Sequence, residues 1–104
     1  MEKRIENRFL HPVDLIYGDN DTFSPGQARN ISAHGLLIQA EYQIFPINRK
    51  IMVILSIDSE PVSLNGIVCW NSEYKTMEDM IEKQLGLFIP EPPLQYVDYV
   101  NQLQ

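Results

Sequence analysis

Two arginines stand four positions apart near the start of the chain, in RIENR at residues 4–8. Each guanidinium is a planar fork of donors that can hold a phosphate, or the O6/N7 edge of a guanine, through two hydrogen bonds at once. Forks at this spacing, on Arg4 and Arg8, can reach different parts of one nucleotide-sized anion. A second polar cluster follows in NISAHG at residues 30–35. Asn30 and Ser32 offer short donors and acceptors to a base edge, while Gly35 lets backbone approach closely. Taken singly, each stretch has a plainer reading. The arginines can be a solubilising terminus, and NISAHG a hairpin whose Asn and Ser bond their own backbone. Arg29 and His34 stand beside the second cluster, where they could touch phosphate or stack on a base, or serve only as a strand-surface charge and a turn residue.

Other chemistry finds little support. The chain has no glycine-rich phosphate loop, no GxSxG and no HExxH, so no catalytic residue is assigned and no enzyme activity is expected. Asp19 and Asp21 in GDNDTF lack the downstream glutamate of a calcium loop and read as turn formers. The histidines, His11 and His34, are too far apart for a metal pair, and the single cysteine excludes an internal disulfide. No metal or cofactor is expected. Cys69, inside the apolar run GIVCW, reads as a small core residue.

Composition bounds the rest. At 104 residues with 44% hydrophobic content, the chain is expected to be one globular domain, 1–104. No apolar run is long enough to cross a membrane, and the charged start is unlike a signal peptide, so a cytoplasmic home is the default expectation. The formal charge of −6 disfavours nucleic-acid binding. The charge is uneven, near balance over residues 1–35 and strongly acidic beyond. Screening over about 8 Å lets a small anion feel only its neighbours, so local arginines can hold it on an acidic protein.

The elements that must position these groups read mostly as strands. PVDLIY (12–17), QARNIS (27–32), GLLIQA (35–40), IMVILSI (51–57), VSLNGIVCW (62–70) and LGLFI (85–89) are β-rich. In IMVILSI, Ile51, Val53, Leu55 and Ile57 share a face; in VSLNGIVCW, Val62, Leu64, Val68 and Trp70 do, with Gly66 breaking the row at a bend or bulge. GDNDTFSPG (18–26) reads as a loop, and Gly35 sits where a tight turn often needs φ > 0. The polar stretch 73–84 reads equally as a short helix, with Met77, Met80 and Ile81 at helical spacing, or as an excursion between strands. PPLQYVDYVNQL (92–103) reads as a C-terminal helix with a stripe of Leu94, Val97, Val100, Tyr96 and Leu103. The sum is a mainly all-β fold: six short, mostly antiparallel strands in a small closed or nearly closed barrel over 12–90, preceded by a flexible arm over 1–11.

Read together, RxxxR ahead of the first strand and [D/N]xSxxG between the next two resemble the two-part signature of PilZ domains. The resemblance extends to GLLIQA, the GIVCW strand, LGLFIPEPP and the final helix. It implies a six-stranded PilZ-type β-barrel that binds cyclic di-GMP. Arg4 and Arg8 would grip its phosphates and guanine edges, Asn30 and Ser32 would bond a guanine, and Gly35 would keep the turn open. It also implies signalling to an unidentified downstream protein, or, alternatively, an adaptor that has lost ligand binding and acts through protein contacts alone. Asn30 stands where many members carry Asp, and Lys3 where the preceding basic residue is often Arg.

Overall fold

The structure, a computed structural model, describes residues 8–103. Six antiparallel strands close into a barrel in the order β1-β2-β3-β6-β5-β4, and one helix follows. They are β1 (Arg8–Asp19), β2 (Thr22–Ser32), β3 (Gly35–Ala40), β4 (Lys50–Ile57), β5 (Glu60–Lys75), β6 (Ile81–Phe88) and α1 (Leu94–Gln102). Closure leaves no sheet edge along the paired body of the barrel. Alternation drives it. In β4, Ile51, Val53, Leu55 and Ile57 all point inward, as their spacing predicts. They meet Leu15 and Tyr17 of β1 and Val62, Leu64 and Val68 of β5 in one continuous core. Each large apolar side chain so buried contributes about 1.5–3 kcal/mol.

The structure resolves or overturns the reading of four stretches. Residues 18–26 form most of a hairpin rather than a loop, with Asp19 opposite Thr22 and only Asn20 and Asp21 at the turn. Pro25 is tolerated there because it pairs with Ile16 on one side only: pairing with β3 begins at Gly26, opposite Ala40. Of the two readings open for residues 73–84, the excursion between strands holds and the helix does not. These residues carry β5 on to Lys75 and turn back into β6 at Ile81. Thr76 organises this turn, its Oγ1 accepting from the backbone N–H of Met80 at 3.1 Å and of Glu78 at 3.3 Å.

The third change lies in β5. Gly66 is not the irregular point: it pairs with Ile51, and the register slips between Val68 and Trp70. That bulge makes Cys69 the extra residue and turns both Cys69 and Trp70 outward. Neither is core. The fourth concerns α1, whose buried seam is Tyr96 and Val100, while Leu94 is 74% exposed and Leu103 also faces solvent. Pro93 caps its start in extended conformation. The arm anticipated over 1–11 falls partly on residues 1–7, outside the described residues; from Arg8 the backbone is strand.

Candidate functional site

Strand register collects the second motif into one place. Asn30 lies opposite Leu37 across β2 and β3, and Leu37 lies opposite Gly86 of β6, which faces Trp70 of β5. One step along, Ser32 faces Gly35, Gly35 faces Phe88, and Phe88 faces Ile67. Strands sit ~4.8 Å apart, so Asn30 and Trp70 bracket a wall roughly 14 Å wide. Asn30, Ser32, Gly35, Leu37, Cys69 and Gly86 together line a shallow concavity of about 330 Å³. Among the described residues no carboxylate lines it.

The other end of that row is Arg8. Its backbone pairs with Asn30, after which the β1–β2 register skips to Val13 opposite Ala28. The first motif therefore ends one strand from the second. Arg4 and the side chain of Arg8 lie outside the described residues. Arg29 is the extra residue at a second irregularity, where β2 pairing with β3 slips between Ala28 and Asn30. Its guanidinium is exposed and donates weakly to Gln27 Oε1 at 3.5 Å.

Gly35 is needed for space rather than for an unusual backbone angle. No glycine among the described residues has positive φ, contrary to expectation. A Cβ at Gly35 would instead approach Ser32 Oγ to 3.1 Å, crowding the hydroxyl that faces the concavity. Gly86 plays a similar part: a Cβ there would stand 3.2 Å from Trp70 Cβ and 3.3 Å from its ring. The indole lies across the bare backbone, which leaves a flat floor with an aromatic border.

His34 is held beside this floor. Its Nδ1 lies 2.9 Å from the carbonyl oxygen of Ile89, and the Ile89 N–H donates to the His34 carbonyl at 2.9 Å. A nitrogen facing a carbonyl must carry the proton, so Nδ1–H donates and Nε2 is left outward. The ring stacks on Phe88 with centroids 6.2 Å apart.

Tyr96 fixes the turn from beneath. Fully buried, it donates its hydroxyl to the Ser32 carbonyl at 2.7 Å, with the Gly35 carbonyl 3.4 Å away. Burial pushes its phenol far above the ordinary value of 10.0, with the Tyr99 phenol adding to the effect. Sequence reasoning places Tyr96 in the apolar stripe of the helix and misses this role. The available signal is that a buried tyrosine hydroxyl needs an acceptor. Trp70 and Cys69 are missed because the bulge that turns them outward has no local mark. Two larger concavities, of about 610 and 560 Å³, lie elsewhere on the barrel wall, and among the described residues none of those anticipated lines them. Among the described residues no cluster of His, Cys, Asp or Glu could hold a metal, and no helix is long and apolar enough to cross a membrane.

Known structures share this architecture. The chain is similar to the PilZ domain of YcgR from Escherichia coli, a structure with c-di-GMP, at TM-score 0.66 and 12% identity, over 94% of this chain and 81% of that one. It is also similar to the inhibitor of motility MotI/DgrA of Bacillus subtilis, at TM-score 0.68 and 15% identity, over 98% of this chain. The chain spans about half of the MotI/DgrA chain, 51% of its length. No family model matches the sequence, and no curated protein matches it. At these identities the likeness is one of fold. The fold is that of a PilZ-type domain, a closed six-stranded antiparallel barrel with a C-terminal helix.

Proposed function

We propose that this chain is a cytoplasmic receptor for cyclic di-GMP that relays the signal through contact with another protein. Asn30 and Ser32 bond a guanine edge, Gly35 leaves their turn open, and Arg4 and Arg8 grip phosphate and guanine, Arg8 from the start of β1. Arg29 and His34 stand at the margin, one with an exposed guanidinium held only weakly by Gln27 and the other with its outward Nε2. The observation that carries this reading is the gathering of Asn30, Ser32 and Gly35 in one concavity to which no carboxylate among the described residues contributes, with the Arg8 backbone one strand away. The c-di-GMP held by the similar YcgR domain supports the choice of ligand. No bond is made or broken. Binding orders a surface that a partner can read.

Calorimetric titration with cyclic di-GMP, cyclic di-AMP and GTP tests the reading. A guanine-reading dinucleotide site binds the first and discriminates against the other two. Charge-assisted hydrogen bonds contribute about 1.5–3 kcal/mol, so Arg8→Ala weakens binding by roughly ten- to a hundredfold. Equal affinity for all three nucleotides, or unchanged affinity in Arg8→Ala, contradicts it.

A further inference from the structure

The β5–β6 hairpin outgrows the barrel. β4 pairs with β5 only as far as Ile67, opposite Lys50, and β3 pairs with β6 only from Lys83, opposite Ala40. Beyond those points Tyr74–Lys75 and Ile81–Glu82 pair only with each other, and a five-residue turn joins them. A two-stranded ribbon gains little stability of its own, so its solvent-facing composition is free to serve another purpose. That composition is unusual. Met77 is fully exposed, Met80 and Ile81 are 62% and 59% exposed, and Tyr74 is about half exposed. Apolar groups of this size gathered at one projecting tip mark an interaction surface rather than scattered surface residues. Methionine suits such a surface because its unbranched, polarisable side chain adapts to its partner.

Charge selects the occupant. Glu73, Glu78, Asp79 and Glu82 surround the apolar tip, and Lys75, at 3.9 Å from Asp79, is the basic group nearest the turn. The tip is held in shape from within: Asp79 takes positive φ at 64°, and the Tyr74 hydroxyl donates to Glu82 at 3.0 Å. An acidic rim repels anionic lipid, and it repels a second copy of a chain whose formal charge is −6. A basic segment with interleaved apolar side chains fits both features, its cations meeting the rim and its apolar groups meeting the methionines.

We infer that the β5–β6 hairpin tip is a docking element for a basic, amphipathic segment of a partner protein, with Met77, Met80 and Ile81 as apolar anchors and Glu78 and Glu82 as the charge partners. The inference does not require that the chain bind cyclic di-GMP. It adds the chemistry of the partner to the proposed relay.

The test uses the full chain and a fluorescein-labelled twelve-residue peptide of alternating Arg and Leu, followed by anisotropy and by amide chemical shifts. Control peptides carry Glu for Arg, or Ser for Leu. The Arg–Leu peptide is expected to bind at least about tenfold more tightly than either control, a difference of about 1.4 kcal/mol. Its shift changes are expected to centre on residues 73–82. Met77→Ser with Met80→Ser weakens it by a similar factor without altering the melting temperature, because both side chains are exposed. Glu78→Lys with Glu82→Lys moves the preference to the Glu–Leu peptide. Cyclic di-GMP titrations of the same variants separate this inference from the ligand reading, since neither pair of substitutions lies in the concavity. Equal binding by the Met77/Met80 variant, shifts centred elsewhere, or no binding at millimolar peptide overturns the inference.

Discussion

One phenolic hydroxyl ties the helix to the turn that presents Ser32 and Gly35. Tyr96→Phe removes the 2.7 Å bond to the Ser32 carbonyl while keeping the ring. The expected cost is about 1–3 kcal/mol, because a carbonyl is left without its donor. In a domain of this size that lowers the melting temperature by several degrees, measurable by calorimetry. The same phenol gives a pH signature. Its folded pKa is raised by burial, so unfolded Tyr96 ionises near 10.0 while the folded one stays neutral. Stability is therefore complete below that pH and falls as pH rises from there towards the folded value. Burial also raises Tyr17, which acts in the same direction. Denaturant melts across the alkaline range should show a steeper loss in the wild type than in Tyr96→Phe. At the neighbouring glycine, Gly35→Ala forces a Cβ to within 3.1 Å of Ser32 Oγ, and ligand affinity should drop about tenfold with little change in melting temperature. Asn30, Ser32 and Gly35 could be singled out from sequence because their types and spacing are themselves the signal. Tyr96 could not, since its partner lies 64 positions away.

At the level of elements, legibility followed regularity. β4 was readable because four inward side chains alternate without interruption. In β5 the inward row is legible from Val62 to Val68, although Gly66 continues it rather than breaking it; a one-residue slip then exchanges the faces, so Trp70 leaves the core row that its spacing continues. The β1–β2 hairpin was hidden by Gly, Asn, Asp and Pro, whose turn preferences are overridden by pairing on the closed sheet. The tight turn of β4 into β5 has Asp58 at φ 52° and Ser59 at φ 69°, both in the left-handed region. Such paired angles favour Asp-Gly over Asp-Ser. Ser59→Gly should therefore stabilise the protein by up to about 1 kcal/mol and raise its melting temperature by a few degrees. A lowered melting temperature would show that the serine side chain contributes more than its backbone strain costs.

For the whole molecule, the ligand is expected to bind only the folded chain, because strand pairing is what gathers Asn30, Ser32 and Gly35. Ligand at 100 times its dissociation constant should then stabilise the fold by about 2.7 kcal/mol, seen as a concentration-dependent rise in melting temperature. Cys69 offers an internal reporter, because its exposed thiol lines the concavity. Bound cyclic di-GMP should slow its alkylation, and an unaltered rate at saturating ligand would place the nucleotide elsewhere. The most direct measurement is an amide chemical-shift titration with cyclic di-GMP. The account predicts saturable shifts at Asn30, Ser32, Gly35 and Gly86, weakened in Arg8→Ala. Shifts gathered instead at Gly18, Met52 and Asn65 around the 610 Å³ concavity, or none at all, would contradict it.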